Sequence, residues 1–191
     1  MPVITVTLIE GYDAATRRRL SERLTDAAMA TIAAPAEGVT VIINEVDPAS
    51  YMRGRTAKTP GPAPTPPAEV CLAFLDAVGQ RDLDAAAAMT GEDFTMTFPG
   101  AVPGGTRFTE FRQLLDWAAP RYRRIAKTIE RVEEAPLGAR VAVYVSGTLS
   151  GEWPGGAAFA GIRFIDRFEV ERGLIHSQEV WNDLAESAIN N

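Results

Sequence analysis

The second residue of the chain is the one with the most unusual chemistry open to it. Residue 2 is proline, directly after Met1, and loss of Met1 would make it the N-terminal residue. An N-terminal proline is a secondary amine, whereas the nitrogen of an internal proline belongs to an amide and is not basic. A terminal amine titrates near pH ~8, and an apolar pocket or a nearby cation lowers its pKa. Pro2 is therefore a candidate general base or iminium-forming amine, although a proline that only opens a strand is the commoner case.

The residues after Pro2 predict a strand, a helix and a second strand. Strand 3–9 is followed by a helix that Asp13 caps and that ends near Ala33. The apolar run 39–46 predicts the second strand, which should lie parallel to the first because a helix crosses over between them. Such a unit is too small to bury a core of its own, so we expect it to assemble as a homo-oligomer.

Short motifs follow one another through the first 55 residues. They are Met1-Pro2, the Leu8–Gly11 turn, Ala34-Pro35, the Val41–Glu45 run and Tyr51. Together they resemble the 4-oxalocrotonate tautomerase family. The resemblance implies that Pro2 is the catalytic amine and that short subunits associate, usually as hexamers.

Two positions depart from the pattern of that family. Tyr12 stands where the family has a substrate-binding arginine, and Thr40 stands where it has the arginine that opens the second strand. Only a guanidinium supplies the planar fork that holds a carboxylate through two hydrogen bonds, so a neutral, ring-containing substrate is favoured over a dicarboxylate. Tyr51 and Arg53 complete the predicted substrate-binding set of this unit, with Arg53 supplying positive charge from another direction.

A proline-rich segment follows the first unit. Residues 56–67 carry five of the 13 prolines and show no apolar periodicity. This composition predicts an extended, semi-rigid linker. The predicted organisation is a tautomerase-like domain at 1–55, a linker at 56–67 and a second domain at 68–191, which is long enough to bury its own core.

The second domain is predicted to be α+β, with its helices before most of its sheet. Helices are expected at 68–78, 83–89 and 110–117, and strands at 94–98, 125–134, 140–150, 157–171 and 174–183. This order favours an α+β cone, in which helices pack on a curved antiparallel sheet with a pocket between them.

Four motifs of this domain recur together in one superfamily. They are Phe74–Ala77 with Arg81–Asp84, Phe164–Phe168, Arg172–Ile175 and Trp181–Asp183. They resemble the SnoaL-like, ketosteroid-isomerase-like superfamily, which has the nuclear-transport-factor-two-like fold. That scaffold hosts isomerases, cyclases, dehydratases, hydrolases and binding modules, so the resemblance implies the fold more strongly than the reaction.

The same resemblance singles out Asp166. It falls where ketosteroid isomerase keeps a buried, protonated aspartic acid that donates a hydrogen bond to an oxyanion. Phe74 and Phe98 stand where that enzyme has its partner tyrosine and its general-base aspartate. A steroid isomerase mechanism is therefore not expected. Asp166 is a candidate acid or base, and Phe74 and Phe98 are expected to contact the substrate.

Strand alternation gives a separate prediction of the pocket face. If the last hairpin turns at 171–173, Phe168 pairs with His176 and Asp166 with Gln178. The pocket face then carries Phe168, Gln178 and Asn182 as substrate-binding residues, with Asp166 and His176 as candidate acids or bases. His176 is the only histidine, and its ordinary pKa of about 6.5 suits proton transfer near neutral pH, although a lone strand histidine is more often structural.

Composition excludes several classes of function. A net charge of −6 argues against nonspecific nucleic-acid binding and against an anionic membrane surface. No apolar run is long enough to span a membrane and no signal peptide is visible, so a cytoplasmic location is expected. The single cysteine, Cys71, and the single histidine leave no disulfide within the chain and no cysteine-cluster or multi-histidine metal site. We expect no metal and no cofactor, only a small-molecule substrate.

Three functional hypotheses follow from these observations. The favoured one is a Pro2-dependent tautomerase or isomerase acting on an enol, enone or activated carbonyl of a ring-containing, natural-product-like substrate. The second places an aldol-type polyketide cyclase or isomerase reaction in the cone, with Asp166 as acid or base. The third is a non-catalytic binding module. All three are compatible with a homo-oligomer, either a hexamer or an assembly of dimers.

Overall fold

The chain forms two compact units. A computed structural model describes residues 1–100 and 105–189, so residues 101–104 and the last two residues of the predicted second domain lie outside the described ranges. The units comprise residues 1–63 and 64–191, and each is described by itself.

The first unit is a β-α-β element followed by a short hairpin. Strands β1 (Val3–Ile9) and β2 (Thr40–Val46) pair in parallel, and helix α1 (Ala14–Ile32) connects them. Asp13 caps α1, since its carboxylate accepts a hydrogen bond from the Thr16 amide at 2.7 Å. Strands β3 (Met52–Arg53) and β4 (Thr56–Ala57) form the hairpin, so the first two residues of the predicted linker are part of a strand pair.

The first unit has no core of its own. Of residues 1–63, none is buried in the single chain. Alternate residues of β1 and β2 are half-buried toward α1, whereas the opposite sheet face is exposed. Large apolar side chains lie exposed on this unit: Val3, Met29, Ile32, Ile42 and Met52. Water contact with so much apolar surface is unfavourable, which favours covering it by association.

The second unit follows the predicted order of helices and strands. Its helices are α2 (Pro67–Gln80), α3 (Leu83–Ala88), α4 (Phe111–Ala118) and α5 (Leu184–Ile189). Its strands are β5 (Thr90–Phe98), β6 (Thr106–Phe108), β7 (Arg124–Leu137), β8 (Arg140–Glu152), β9 (Ala158–Glu171) and β10 (Leu174–Asn182). The short elements β6 and α5 were not predicted, because three to six residues are too few to show a periodicity.

Six strands form one sheet in the order β6-β5-β10-β9-β8-β7. All neighbours are antiparallel except β5 and β10, which run parallel. The core lies between this sheet and α2, where the Phe74 ring contacts those of Phe94, Phe111 and Phe168 at centroid distances of 5.8 to 6.0 Å. The prediction of an α+β fold, with a β-α-β unit and helices over a curved sheet, is confirmed.

The predicted register of the last hairpin is wrong. Arg172 and Gly173 form a two-residue turn with positive φ at both positions, as a tight right-twisted hairpin requires. His176 is then an extra residue in β10, forming a bulge between Ile175 and Ser177. Because of the tighter turn and the bulge, Phe168 pairs with Gln178 and Asp166 pairs with Val180. His176 therefore does not pair with Phe168.

No helix in the described part of the chain is both long and apolar enough to cross a membrane.

Candidate functional site

Pro2 lies at the open end of the two-stranded sheet. Its carbonyl accepts a hydrogen bond from the Thr40 amide at 3.0 Å, so the start of β2 holds Pro2 in place. Met1 is 94% exposed, which leaves the bond between Met1 and Pro2 accessible to processing. The structure thus places two of the predicted residues, Pro2 and Thr40, side by side.

The other predicted residues of this unit lie at the opposite end of the strands. Tyr12 follows β1, and its carbonyl accepts a hydrogen bond from Arg17, which also pairs with Glu45 at 2.6 Å. Tyr51 and Arg53 follow β2, and the Arg53 guanidinium donates to the Tyr51 hydroxyl at 3.3 Å. Seven strand residues at roughly 3.3 Å each separate this end from Pro2. A single copy of the unit therefore does not bring Tyr12, Tyr51 and Arg53 to Pro2.

A cavity of about 1370 Å³ opens between the helices and the sheet of the second unit. Its aromatic lining includes Phe74, Phe98, Trp117, Trp153 and Phe164. Phe98 contacts Trp117 at a centroid distance of 4.6 Å, so the two rings form one wall. The predicted residues Gln178 and Asn182 also line the cavity, and Asn182 accepts a hydrogen bond from the Leu184 amide at 3.2 Å.

One polar cluster lies at the sheet side of this cavity. Asp166 on β9 is 0% exposed, and its Oδ2 atom accepts hydrogen bonds from the Lys127 ammonium and, at 3.1 Å, from the Gln178 amide. Lys127 and Gln178 line the cavity, whereas Asp166 lies behind them. A ligand in the cavity would therefore meet the lysine and the glutamine before the aspartate.

Burial raises the pKa of Asp166 above its ordinary value, because removing a carboxylate from water disfavours its charged form. The Lys127 ammonium and the Gln178 amide oppose this rise, since both stabilise the carboxylate. Burial also raises the pKa of Cys71, with a further contribution from Asp166, so this thiol is protonated and unreactive.

The raised pKa makes the stability of the second unit depend on pH. The folded protein holds the Asp166 proton more tightly than the unfolded chain, so the stabilisation is complete below the ordinary carboxyl pKa and is lost as pH rises through the raised pKa. The asparagine of the Asp166→Asn variant cannot ionise, so that variant does not lose this stabilisation as the pH rises. The wild type should therefore lose stability relative to Asp166→Asn as the pH rises from 4 to 8.

Urea unfolding of both proteins across that pH range measures this difference. Every other titratable group is common to the two proteins, so the difference between their unfolding free energies isolates Asp166. A difference that moves in favour of the wild type as pH rises would mean that Lys127 lowers the Asp166 pKa more than burial raises it.

Two predicted residues lie away from the cavity. Among the described residues that line it, neither His176 nor Phe168 is present. The His176 ring lies 2.5 Å from a carboxylate oxygen of Asp93, and this hydrogen bond lowers the pKa of Asp93. Phe168 is fully buried in the core beneath Phe74. Within residues 1–100 and 105–189, no three His, Cys, Asp or Glu side chains are grouped so as to hold a metal ion.

The lining residues that the sequence reasoning missed include Lys127, Trp117 and Trp153. Lys127 lies two residues from Ile125 and two from Ile129 along β7. The three side chains therefore share one face of the strand, which is its apolar face. A lysine in that register is unusual enough to have marked it for attention. The two tryptophans carry no comparable signal, since aromatic residues are common in any core.

Comparison with known proteins assigns both units. Residues 72–178 match the family described as SnoaL-like domain, and residues 2–59 match the family described as Tautomerase enzyme. The chain belongs to the SnoaL-like family through its second unit and to the tautomerase family through its first. Both predicted resemblances are confirmed. The protein is therefore an isomerase-type enzyme. The two families support isomerase or cyclase chemistry.

Individual relatives agree with this assignment. The first unit is 51% identical over 51 residues to a probable tautomerase, RSp0893, of Ralstonia nicotianae, a match that takes in 27% of this chain and 73% of that protein. The second unit is similar in structure to TerC co-crystallised with polyporic acid, with 16% identity, a TM-score of 0.51, and coverage of 63% of this chain and 94% of TerC. It is also similar to an NTF2-like protein of unknown function from Burkholderia pseudomallei, with 17% identity, a TM-score of 0.50, and coverage of 63% of this chain and 93% of that protein. Identities this low show the fold alone.

Proposed function

We propose that the first unit is a proline-dependent tautomerase that acts, after loss of Met1, on an enol, enone or activated carbonyl of a ring-containing substrate. The observation that carries this proposal is the position of Pro2, held at the open end of the sheet by Thr40 behind an exposed Met1. The 51% identity to a probable tautomerase supports it. The test is the effect of Pro2→Ala on tautomerase activity.

The proposed reaction is a pair of proton transfers. The free Pro2 amine removes the hydroxyl proton of an enol, and the resulting ammonium delivers a proton to the neighbouring carbon, which leaves the ketone and the free amine. A positioned acid or base of this kind contributes about 10²–10⁴-fold to a rate. Position 12 is tyrosine and position 40 is threonine, so neither supplies a guanidinium to bind a substrate carboxylate. A neutral ring system is therefore the favoured substrate class.

The proposed site needs more than one copy of the chain. Pro2 and Thr40 lie at one end of β1 and β2, whereas Tyr12, Tyr51 and Arg53 lie at the other. Association of copies through the exposed apolar surface could bring the two ends together and would also cover Val3 and Ile42. We therefore propose a homo-oligomer, a hexamer or an assembly of dimers.

Sedimentation velocity at micromolar concentration should show this oligomer. Ile42→Lys places a charge on the exposed sheet face and should shift the protein toward the monomer, because a buried unpaired charge opposes association. Glu22→Lys, at an exposed position of α1, provides the control and should sediment as the wild type does. A wild-type protein that sediments as a monomer would contradict the proposed assembly.

A second candidate places the reaction in the cone, as an aldol-type cyclase or isomerase with Asp166 as acid or base. The observation that favours it is a buried carboxyl group with a raised pKa, joined to the cavity through Lys127 and Gln178. The two candidates respond oppositely to substitution. Pro2→Ala should abolish turnover under the first and spare it under the second, for which Asp166→Asn should be the damaging change.

A further inference from the structure

Of the described residues that line the cone cavity, Lys127 is the one with a side-chain amine. Four guanidiniums line the cavity as well, those of Arg81, Arg121, Arg123 and Arg124. A guanidinium keeps its proton in a protein, so these arginines can bind an acidic substituent of a ligand but cannot attack its carbonyl carbon. An amine, in contrast, becomes a nucleophile once it loses a proton. Covalent chemistry with a carbonyl compound in this cavity therefore falls to Lys127.

The Lys127 amine lies in mainly apolar surroundings at the sheet side of the cavity. It is 4.5 Å from the centroid of the Phe164 ring, and Ile125 and Ile129 share its face of β7. The side chain is 26% exposed, so the nitrogen is accessible from the cavity without being fully hydrated. A lysine that is largely removed from water in an apolar pocket is the kind that forms imines with carbonyl substrates.

Asp166 can take the proton that Lys127 must lose. Its Oδ2 atom accepts hydrogen bonds from Lys127 and, at 3.1 Å, from Gln178, whereas its Oδ1 atom is buried without a hydrogen-bond partner in the described part of the chain. Burial raises the pKa of Asp166, because the charged carboxylate is poorly solvated there. A proton passed from Lys127 to Asp166 leaves an amine and a carboxylic acid, two neutral groups in a place where charges are unfavourable.

We propose that Lys127 is a nucleophilic residue of the cone that forms an imine with an aldehyde or ketone, and that Asp166 carries the protons of this reaction. The proposal goes beyond the second candidate function, in which Asp166 is an acid or base and no covalent bond to the protein forms. No atom of the first unit takes part, so the proposal does not rest on the Pro2-dependent tautomerase.

The reaction begins when the Lys127 ammonium passes a proton to the Asp166 carboxylate. The amine nitrogen then bonds to the carbonyl carbon and gives up a second proton to the carbonyl oxygen, which forms a carbinolamine. Asp166 returns its proton to the new hydroxyl group, which lies one carbon from the nitrogen that Asp166 contacts. The carbon–oxygen bond breaks, water leaves, and the nitrogen lone pair completes the double bond. The resulting iminium carries one positive charge, which the regenerated Asp166 carboxylate stabilises.

Reductive trapping with a carbonyl probe tests this proposal on the full chain. The protein is incubated at neutral pH with 2-naphthaldehyde and cyanoborohydride, which reduces an iminium to a stable amine, and the labelled peptides are identified by mass spectrometry. The chain has two lysines, and Lys58 is exposed in the first unit, so it provides an internal control for Lys127. We expect Lys127 to be labelled at least about tenfold faster than Lys58, because the cavity holds the aldehyde beside the amine.

Three variants assign the reaction to these side chains. Lys127→Arg keeps a cation beside Asp166 and should remove the cavity label, since a guanidinium keeps its proton. Asp166→Asn should slow the labelling of Lys127 at least about tenfold and leave Lys58 unchanged, because the proton carrier is lost. Asp116→Asn changes another carboxyl group that lines the cavity, on α4, and should leave both rates unchanged.

Two further measurements separate this site from other effects. Tryptophan fluorescence shows whether each variant keeps a folded cone, since all three tryptophans belong to the second unit. Pro2→Ala should leave the Lys127 label unchanged, so failure of the proposed tautomerase and failure of this site give different results. Equal labelling of Lys127 and Lys58 in the wild type would overturn the proposal, and so would a folded Asp166→Asn variant that labels Lys127 as fast as the wild type or faster.

Discussion

Pro2→Ala is expected to lower kcat/KM for the ketonisation of a neutral aromatic enol by at least about 100-fold. The physical reason is that alanine at the terminus supplies a primary amine in place of the pyrrolidine nitrogen, so the positioned secondary amine is lost. General acid and base catalysis by one positioned group is worth about 10²–10⁴-fold, which sets the expected range. The fold should not change, because the contact that Pro2 makes to Thr40 uses its backbone carbonyl, which alanine retains.

Pro62→Ala is the matched control for this experiment. Pro62 is an exposed proline of the proline-rich segment, so its replacement changes the same residue type without reaching the sheet. Initial rates for both variants and the wild type, with sedimentation profiles to show equal assembly, complete the comparison. Pro2→Ala with wild-type activity would remove Pro2 from the reaction and leave the cone as its remaining candidate.

Phe168→Ala is expected to destabilise the second unit by about 3–5 kcal/mol. Phe168 is 0% exposed, and its ring packs against Phe74 at a centroid distance of 6.0 Å. Truncation to alanine removes this apolar burial and leaves a cavity that the surrounding strands cannot fill. Ile165→Ala on the same strand should cost far less, because Ile165 is 38% exposed on the opposite face.

Tryptophan fluorescence during urea unfolding measures this difference selectively. The three tryptophans, Trp117, Trp153 and Trp181, all belong to the second unit, so their signal reports its unfolding and not that of the first unit. Equal midpoints for Phe168→Ala and Ile165→Ala would show that Phe168 does not lie in the core. If Phe168→Ala instead weakens ligand binding with little loss of stability, the substrate-contact role expected from the sequence would replace the core role.

Local pattern was sufficient to predict most of the fold. The sequence displays directly the alternation of apolar residues in β1, β2 and the long strands β7 to β10. It also displays the Asp13 cap of α1. The hairpin between β9 and β10 shows where this stops. Arg172 adopts a positive φ that arginine seldom takes, and the bulge at His176 inserts one residue, so neither change is visible as a break in alternation.

The candidate sites were predictable only in part, for two physical reasons. Pro2 is evident because its chemistry depends on its place in the chain, yet the residues expected around it lie at both ends of the strands and need further copies to meet. Asp166 was singled out by its motif and Gln178 by strand alternation, but their third member, Lys127, was not predicted. Lys127 reaches Asp166 across β8, a contact between strands that are not neighbours in the sheet. No local pattern encodes a contact of that kind, so the polar cluster emerges only from the packed sheet.

The measurement that tests the central claim most directly is the intact mass of the protein as it is isolated from cells. The proposed mechanism requires a free pyrrolidine nitrogen, and Met1, at 94% exposed, is accessible for removal. The account predicts a mass lower than that of the full sequence by one methionine residue, which leaves Pro2 as the terminal amine. A mass that includes Met1 would keep the nitrogen of Pro2 in an amide without basicity, contradict the proline mechanism and move the chemistry to the cone.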